Sequence, residues 1–245
     1  MGMIPEANGR RLTFYTGGLY DGLVVIRDRE TDSIWNHITG ACMAGELAGA
    51  RLALVPLLHS TAEGVLERYP AARLAYSRQT LIQRVMSFFT EANRVFVGRF
   101  LFPFFKRTLT TRDNRRPSWE LGLGVWVEGA DGAVLARYYP ARILRRLNKS
   151  GKGLIDELSG SKFLIFLDAQ SGVPGAIMLS APGAREATVA RRTDTGIALD
   201  TGVKFIGGSL LDAEGAPLFA SRPMQLYTRW YGFAATFPEC DIYEV

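Results

Sequence analysis

The sequence predicts a mainly β fold with a few helices (α+β), built as two related β-rich modules joined by a basic, Phe-rich helical connector. Three observations carry this reading. Short apolar runs punctuated by Gly, Pro, Asn and Asp recur in both halves of the chain. One long stretch between them has helical periodicity. A short motif near the N-terminus is echoed near the C-terminus. The expected boundaries are 1–77, 78–118 and 119–245.

Residues 10–56 read as β-structure. RLTFY and LVVIR are strand-like, TGGLYDG is turn-forming, and DRETDS is a polar turn ahead of Ile34-Trp35. Gly40, Gly45 and Gly49 punctuate the next segment and predict short strands with tight turns. Residues 61–69 predict a short helix with Thr61 as N-cap and Pro70 just beyond its end. From 79 to 100, Leu81, Val85, Phe88, Phe89, Ala92, Phe96 and Phe100 recur at three- and four-residue steps, the spacing of one helix face. TTRDNRRPSW then predicts an exposed connector. LGLGVWVEG, the Asp131-Gly132 turn, AVLARYYP and KFLIFLDA predict the strands of a second unit, with a helix over 141–147.

The echo lies at an offset of 191 residues, where FYTGGLYD (14–21) aligns with FIGGSLLD (205–212). Tyr69-Pro70 also parallels Phe237-Pro238, and Trp35 parallels Trp230. A period this long in two copies predicts two modules, not a solenoid.

At 245 residues, with 47% apolar and 22% charged residues, the chain can bury a sizeable core, which excludes intrinsic disorder. Two cysteines cannot staple such a chain, so a disulfide scaffold is excluded. The longest apolar candidate for a span, 95–105, is broken by Arg99 and Pro103, and the N-terminus lacks the order of a signal peptide, so neither kind of segment is expected in the chain. The formal charge of +5 is uneven. Residues 78–118 hold nine basic and two acidic residues, and 137–152 hold six basic residues and no acid.

The familiar catalytic motifs are missing: there is no G-x-S-x-G, H-E-x-x-H, C-x-x-C or Walker loop. His37, Cys42 and His59 are the soft ligands of the first half, but spacings of five and seventeen match no common metal site, so no metal or cofactor is expected. Asp28 and its neighbours suit turn chemistry better than acid–base catalysis, and Asp156 reads as a loop carboxylate. The sharpest surface candidate is the 79–107 helix. There Arg84, Arg94 and Arg99 with Phe88 and Phe100 could meet an anionic membrane surface or a protein partner, while no motif points to nucleic acid.

The run GRRLTFYTGGLYDGLVVIRDRETDSIWNHITGACMAGELAGARLALVP resembles a bacterial family, domain of unknown function 3179. The residues that carry the likeness include Gly9, Arg10, Thr13, Phe14, Asp28, Arg29, Glu30, Thr31, Ser33, Trp35, Gly40, Gly45, Gly49 and Leu52. LGLGV, ARYYP, GLIDE, LIFLDAQSG and RWYGFAATFP of the second half also look like the family. The resemblance implies a cysteine-containing segment, selenocysteine in some members, just ahead of the point where this chain begins. It therefore implies a truncated N-terminus and a thiol or selenol redox role for the longer protein, with the reactive segment missing from the chain as given. Thr31-Asp32-Ser33 stands where the family has Thr-Gly-Ser, and His37 departs from the family Gln. Asp28, Thr31, Ser33 and Trp35 are expected to stabilise a family-specific turn, with Cys42 and Trp230 as further motif positions.

Overall fold

The computed structural model describes residues 2–57, 59–73, 80, 108–110, 112–129, 132–168 and 171–244. The periodic stretch at 79–107, with Arg84, Phe88, Arg94, Arg99 and Phe100, lies outside the described residues. The fold is mainly β, with short antiparallel sheets in both halves and three helices among the described residues.

The N-terminal half is organised by an antiparallel meander of Phe14–Tyr20, Leu23–Asp28, Ile34–Asn36 and Cys42–Ala44. TGG is not part of a turn, as the sequence suggested, but of the first strand. The register shifts between Thr16 and Gly18, and only Asp21-Gly22 makes the turn, both with positive φ. That geometry matches the right-handed twist of the flanking strands. Helix α1 (Ala62–Arg68) begins as expected, with the Thr61 hydroxyl accepting from the Gly64 N–H. Trp35, Leu12, Cys42, Leu47 and Leu52 fill the core of this half.

The second half is larger. Its central sheet runs in the order Met224–Arg229, Leu121–Glu128, Val134–Pro140, Asp241–Ile242, the last pair parallel. The middle of Leu121–Glu128, Gly122 to Trp126, is buried on both faces. Leu123 and Val125 face Tyr139, Leu144 and Phe163, while Trp126 joins Tyr138, Trp230 and Phe233. Gly124 leaves room for the Phe233 ring, since a Cβ there would lie 2.0 Å from Phe233 Cε2. Helix α2 (Ala141–Lys149) buries Ala141, Ile143 and Leu144 and turns its arginines outward. Helix α3 (Trp230–Thr236) follows the sheet's edge strand. A meander of Leu154–Leu158, Ser161–Leu167 and Pro174–Met178 and a five-stranded sheet spanning 190–218 complete this half.

The halves pack directly. Ile38 is buried among Trp126, Tyr138, Trp230 and Phe233, with Leu23 against the same cluster. The expected exposed connector is tied down at its end. Arg115 donates to the Pro238 and Cys240 carbonyls at 2.9 Å, and Trp230 Nε1 donates to the Asp113 carbonyl at 3.0 Å.

The segments paired at offset 191 take different shapes, because FYTGGLY is one strand whereas FIGGSLL is a hairpin turning at Gly207-Gly208. Trp35 and Trp230 also sit differently, one on a strand and the other opening a helix. Tyr69 and Phe237 do correspond locally. They close α1 and α3 with φ/ψ of −131/79 and −128/76, and each is followed by proline.

Candidate functional site

The DRETDS turn is built around one carboxylate. Asp28 Oδ1 accepts from the Thr31 N–H at 2.6 Å and the Thr31 hydroxyl at 2.8 Å, and Oδ2 accepts from Trp35 Nε1 at 2.8 Å. Ser33 Oγ lies 2.7 Å from Thr31 Oγ1 and accepts from the Leu47 N–H. Asp28, Ser33 and Trp35 have no solvent exposure. Burial, the largest influence, pushes the Asp28 carboxyl up. The bonds from Trp35 and Thr31 outweigh it and hold the group below the ordinary carboxylate value. Asp32 adopts φ +55 and accepts from the Tyr15 hydroxyl and from Arg27. These contacts anchor a left-handed conformation that Asp tolerates better than most residues.

The same construction recurs in the second half, at an offset of 140. Asp168 Oδ1 accepts from the Ser171 N–H at 2.8 Å and the Ser171 hydroxyl at 2.9 Å. Gly172 takes φ +64 where Asp32 takes +55, and each donates its N–H to the carbonyl of its turn's aspartate. The Asp28 N–H reaches the Ser33 carbonyl, and the Asp168 N–H reaches the Val173 carbonyl. The preceding hairpins also agree, turning at Asp21-Gly22 and Ser159-Gly160 with φ of 48/73 and 49/71. The second turn differs in what meets the carboxylate. Seven residues after Asp28 stands Trp35, whereas seven after Asp168 stands Gly175, which has no side chain to offer. Arg68, from the end of α1, takes Oδ2 instead, at 3.4 Å.

Asp168 and Arg68 line a cavity of about 400 Å³ between α1 and the second half. Leu167, Ile197, Phe205 and Ile206 give it an apolar side. Glu67, Arg192, Asp194, Thr193 and Thr195 supply charge and hydroxyls, and Asn148 joins from α2. Gly208, at φ +87, lets the Arg68 guanidinium pass, since a Cβ there would lie 3.0 Å from Arg68 Nη1. Sequence reasoning quoted LDAQSG as family-like but did not single out Asp168 or this cavity.

The other expected positions are scattered. His37 donates Nδ1–H to the Val24 carbonyl, and burial lowers its pKa. Cys42 and Cys240 are both buried and unpaired with each other. Burial raises both thiols, that of Cys240 to about 11. Asp156 accepts from Arg137 Nη1 at 2.7 and 2.8 Å and from the Tyr139 hydroxyl at 2.8 Å, so its carboxylate is locked in a structural pair. Trp230 is fully buried, edge-on to Tyr138 with centroids 5.1 Å apart. Among the described residues no group of three or more His, Cys, Asp or Glu is placed to hold a metal.

Residues 3–93 match the family model described as "Protein of unknown function (DUF3179)". The chain resembles that family. The DUF3179 match contains the Asp28 turn, Cys42, Glu67 and Arg68, and it stops short of Asp168 and the cavity walls that follow it. Neither a curated protein nor a solved structure matches the chain.

Proposed function

We propose that the chain is a non-catalytic binding protein whose two β-rich modules hold a small zwitterionic molecule, of the amino-acid class, in the cleft between α1 and the second half. The observation that carries this is the contrast between the two aspartate turns. The first has its carboxylate capped by Trp35. The second, with Gly175 at that place, faces the cavity in company with Arg68. The lining includes two guanidinium groups, Arg68 and Arg192, three carboxylates, Glu67, Asp168 and Asp194, and the apolar side chains of Leu167, Ile197, Phe205 and Ile206. That set suits a ligand bearing both a carboxylate and an ammonium group on an apolar body. The cavity is near the lower end of ordinary small-ligand sites.

A thiol redox role, the other reading that the family resemblance implies, needs a thiolate at neutral pH. Cys42 and Cys240 are buried with raised pKa, so the described residues favour binding over redox chemistry.

The test is titration calorimetry of the full chain with free L-leucine, N-acetyl-L-leucine and L-leucine methyl ester. Free leucine is expected to bind at least ~10-fold more tightly than either blocked form, because each has lost one charge. Asp168→Asn and Arg192→Ala should each weaken it. No binding by leucine, or equal binding by all three, would overturn the proposal.

A further inference from the structure

A second surface of the molecule is defined by charge. On α2, Arg142, Arg145, Arg146 and Lys149 recur at three- and four-residue steps and are all exposed, while Ala141, Ile143 and Leu144 of the same helix are buried. Lys152 lies three residues past the helix, and its backbone pairs with that of Arg191, which is also exposed. Arg142 is 3.5 Å from Glu120. Arg145, Arg146, Lys149, Lys152 and Arg191 have no ion-pair partner among the described residues. Two cations near the C-terminus of a helix are favoured by its dipole, but that does not account for Arg145, Lys152 and Arg191.

We infer that this face docks the protein on a membrane surface rich in anionic phospholipid. A stripe of unpaired cations complements such a surface, and each Lys or Arg held near it strengthens association roughly fivefold at moderate salt. Readers of nucleic acid accompany their cations with aromatic or amide groups that touch bases. Here α2 carries no aromatic residue, Asn148 Oδ1 accepts from Arg192, and Ser150 Oγ donates to the Leu147 carbonyl. No helix among the described residues is long and apolar enough to cross a membrane, and the apolar side of α2 is used up in the core, so attachment here is peripheral and electrostatic.

The experiment is co-sedimentation of the full chain with phosphatidylcholine vesicles, and with vesicles in which part of the phosphatidylcholine is replaced by phosphatidylglycerol. Binding is expected only to the second kind and should weaken with added sodium chloride. Reversing three charges together (Arg145→Glu, Arg146→Glu, Lys149→Glu) should lower it roughly a hundredfold or more. The neutral set (Arg145→Gln, Arg146→Gln, Lys149→Gln), checked for an unchanged unfolding temperature, should lower it less than the reversal does, by roughly a hundredfold. A parallel set, Arg84→Glu, Arg94→Glu and Arg99→Glu, tests the basic stretch of 78–118. If only that set releases the protein, if the α2 sets leave binding intact, or if a random-sequence DNA duplex competes on equal terms at the same phosphate concentration, the assignment falls.

Discussion

Two turns in this molecule share a backbone and differ in one neighbour. Around Asp28, every acceptor position of the carboxylate that the structure uses is met from within the turn and the next strand, by Thr31 and Trp35. Around Asp168, Ser171 repeats the part of Thr31, but the second oxygen is met from 100 residues away by Arg68, at the wall of a cavity. The change from Trp35 to Gly175 is enough to turn a self-contained structural unit into one that must borrow a partner. The comparison teaches that the same turn can be closed by a neighbour seven residues on, as Trp35 closes the first, or joined by a residue from far along the chain, as Arg68 joins the second.

The largest test is to remove the cap. Trp35 is fully buried and packs edge-on to Phe14, with centroids 5.9 Å apart. Trp35→Ala should cost about 3–5 kcal/mol in urea unfolding, combining a core cavity with an unpartnered Asp28 oxygen. A loss below about 1 kcal/mol would mean that Trp35 does not cap the turn in solution.

The next test exchanges each aspartate for its amide. Asp28→Asn turns one acceptor into a donor facing Thr31 or Trp35 and should cost about 2–3 kcal/mol. Asp168→Asn keeps an oxygen for Ser171 and should cost less than about 1 kcal/mol while weakening ligand binding. The acid limb of stability separates them further. The Asp28 carboxyl titrates below its unfolded value, so its contribution is present above the ordinary aspartate range and is lost as pH falls through the depressed folded value. Asp28→Asn should remove that part of the acid-induced loss from the pH–stability curve.

Much of the scaffold was legible in the sequence because its signals are local. The Thr61 cap, the polar turn before Ile34-Trp35 and the helix after Pro140 each lie within a few residues of the groups that define them. The likeness between the two aspartate turns lies at an offset of 140, apart from the pairing at 191 that the residues suggest. The second hairpin carries two more residues between its tight turn and its aspartate, and Gly175 stands at the place of Trp35, so residue identities give little sign of the likeness. What repeats is a pattern of φ angles and one carboxylate, and neither leaves a strong trace in composition. The cavity was invisible for a different reason: its walls come from α1, the Asp168 turn and the five-stranded sheet, which only packing brings together.

The smallest effect compares the hydroxyls. A hydroxyl has one proton to give, and Thr31 gives its proton to Asp28. Ser33 must therefore donate to Thr31 while accepting from the Leu47 N–H, which fixes a directed chain from Leu47 through Ser33 and Thr31 to Asp28. Thr31→Val interrupts that chain beside two fully buried polar residues, Asp28 and Ser33, and should cost about 1–2 kcal/mol. Among the described residues the Ser171 hydroxyl bonds Asp168 and accepts the Val173 N–H at 3.3 Å, a shorter network than the one through Ser33 and Leu47. Ser171→Ala should therefore cost about 0.5–1 kcal/mol. Unfolding both variants in urea at neutral pH measures the gap directly. Equal losses would show that the two turns are equally closed, and the distinction on which the binding reading stands would be gone.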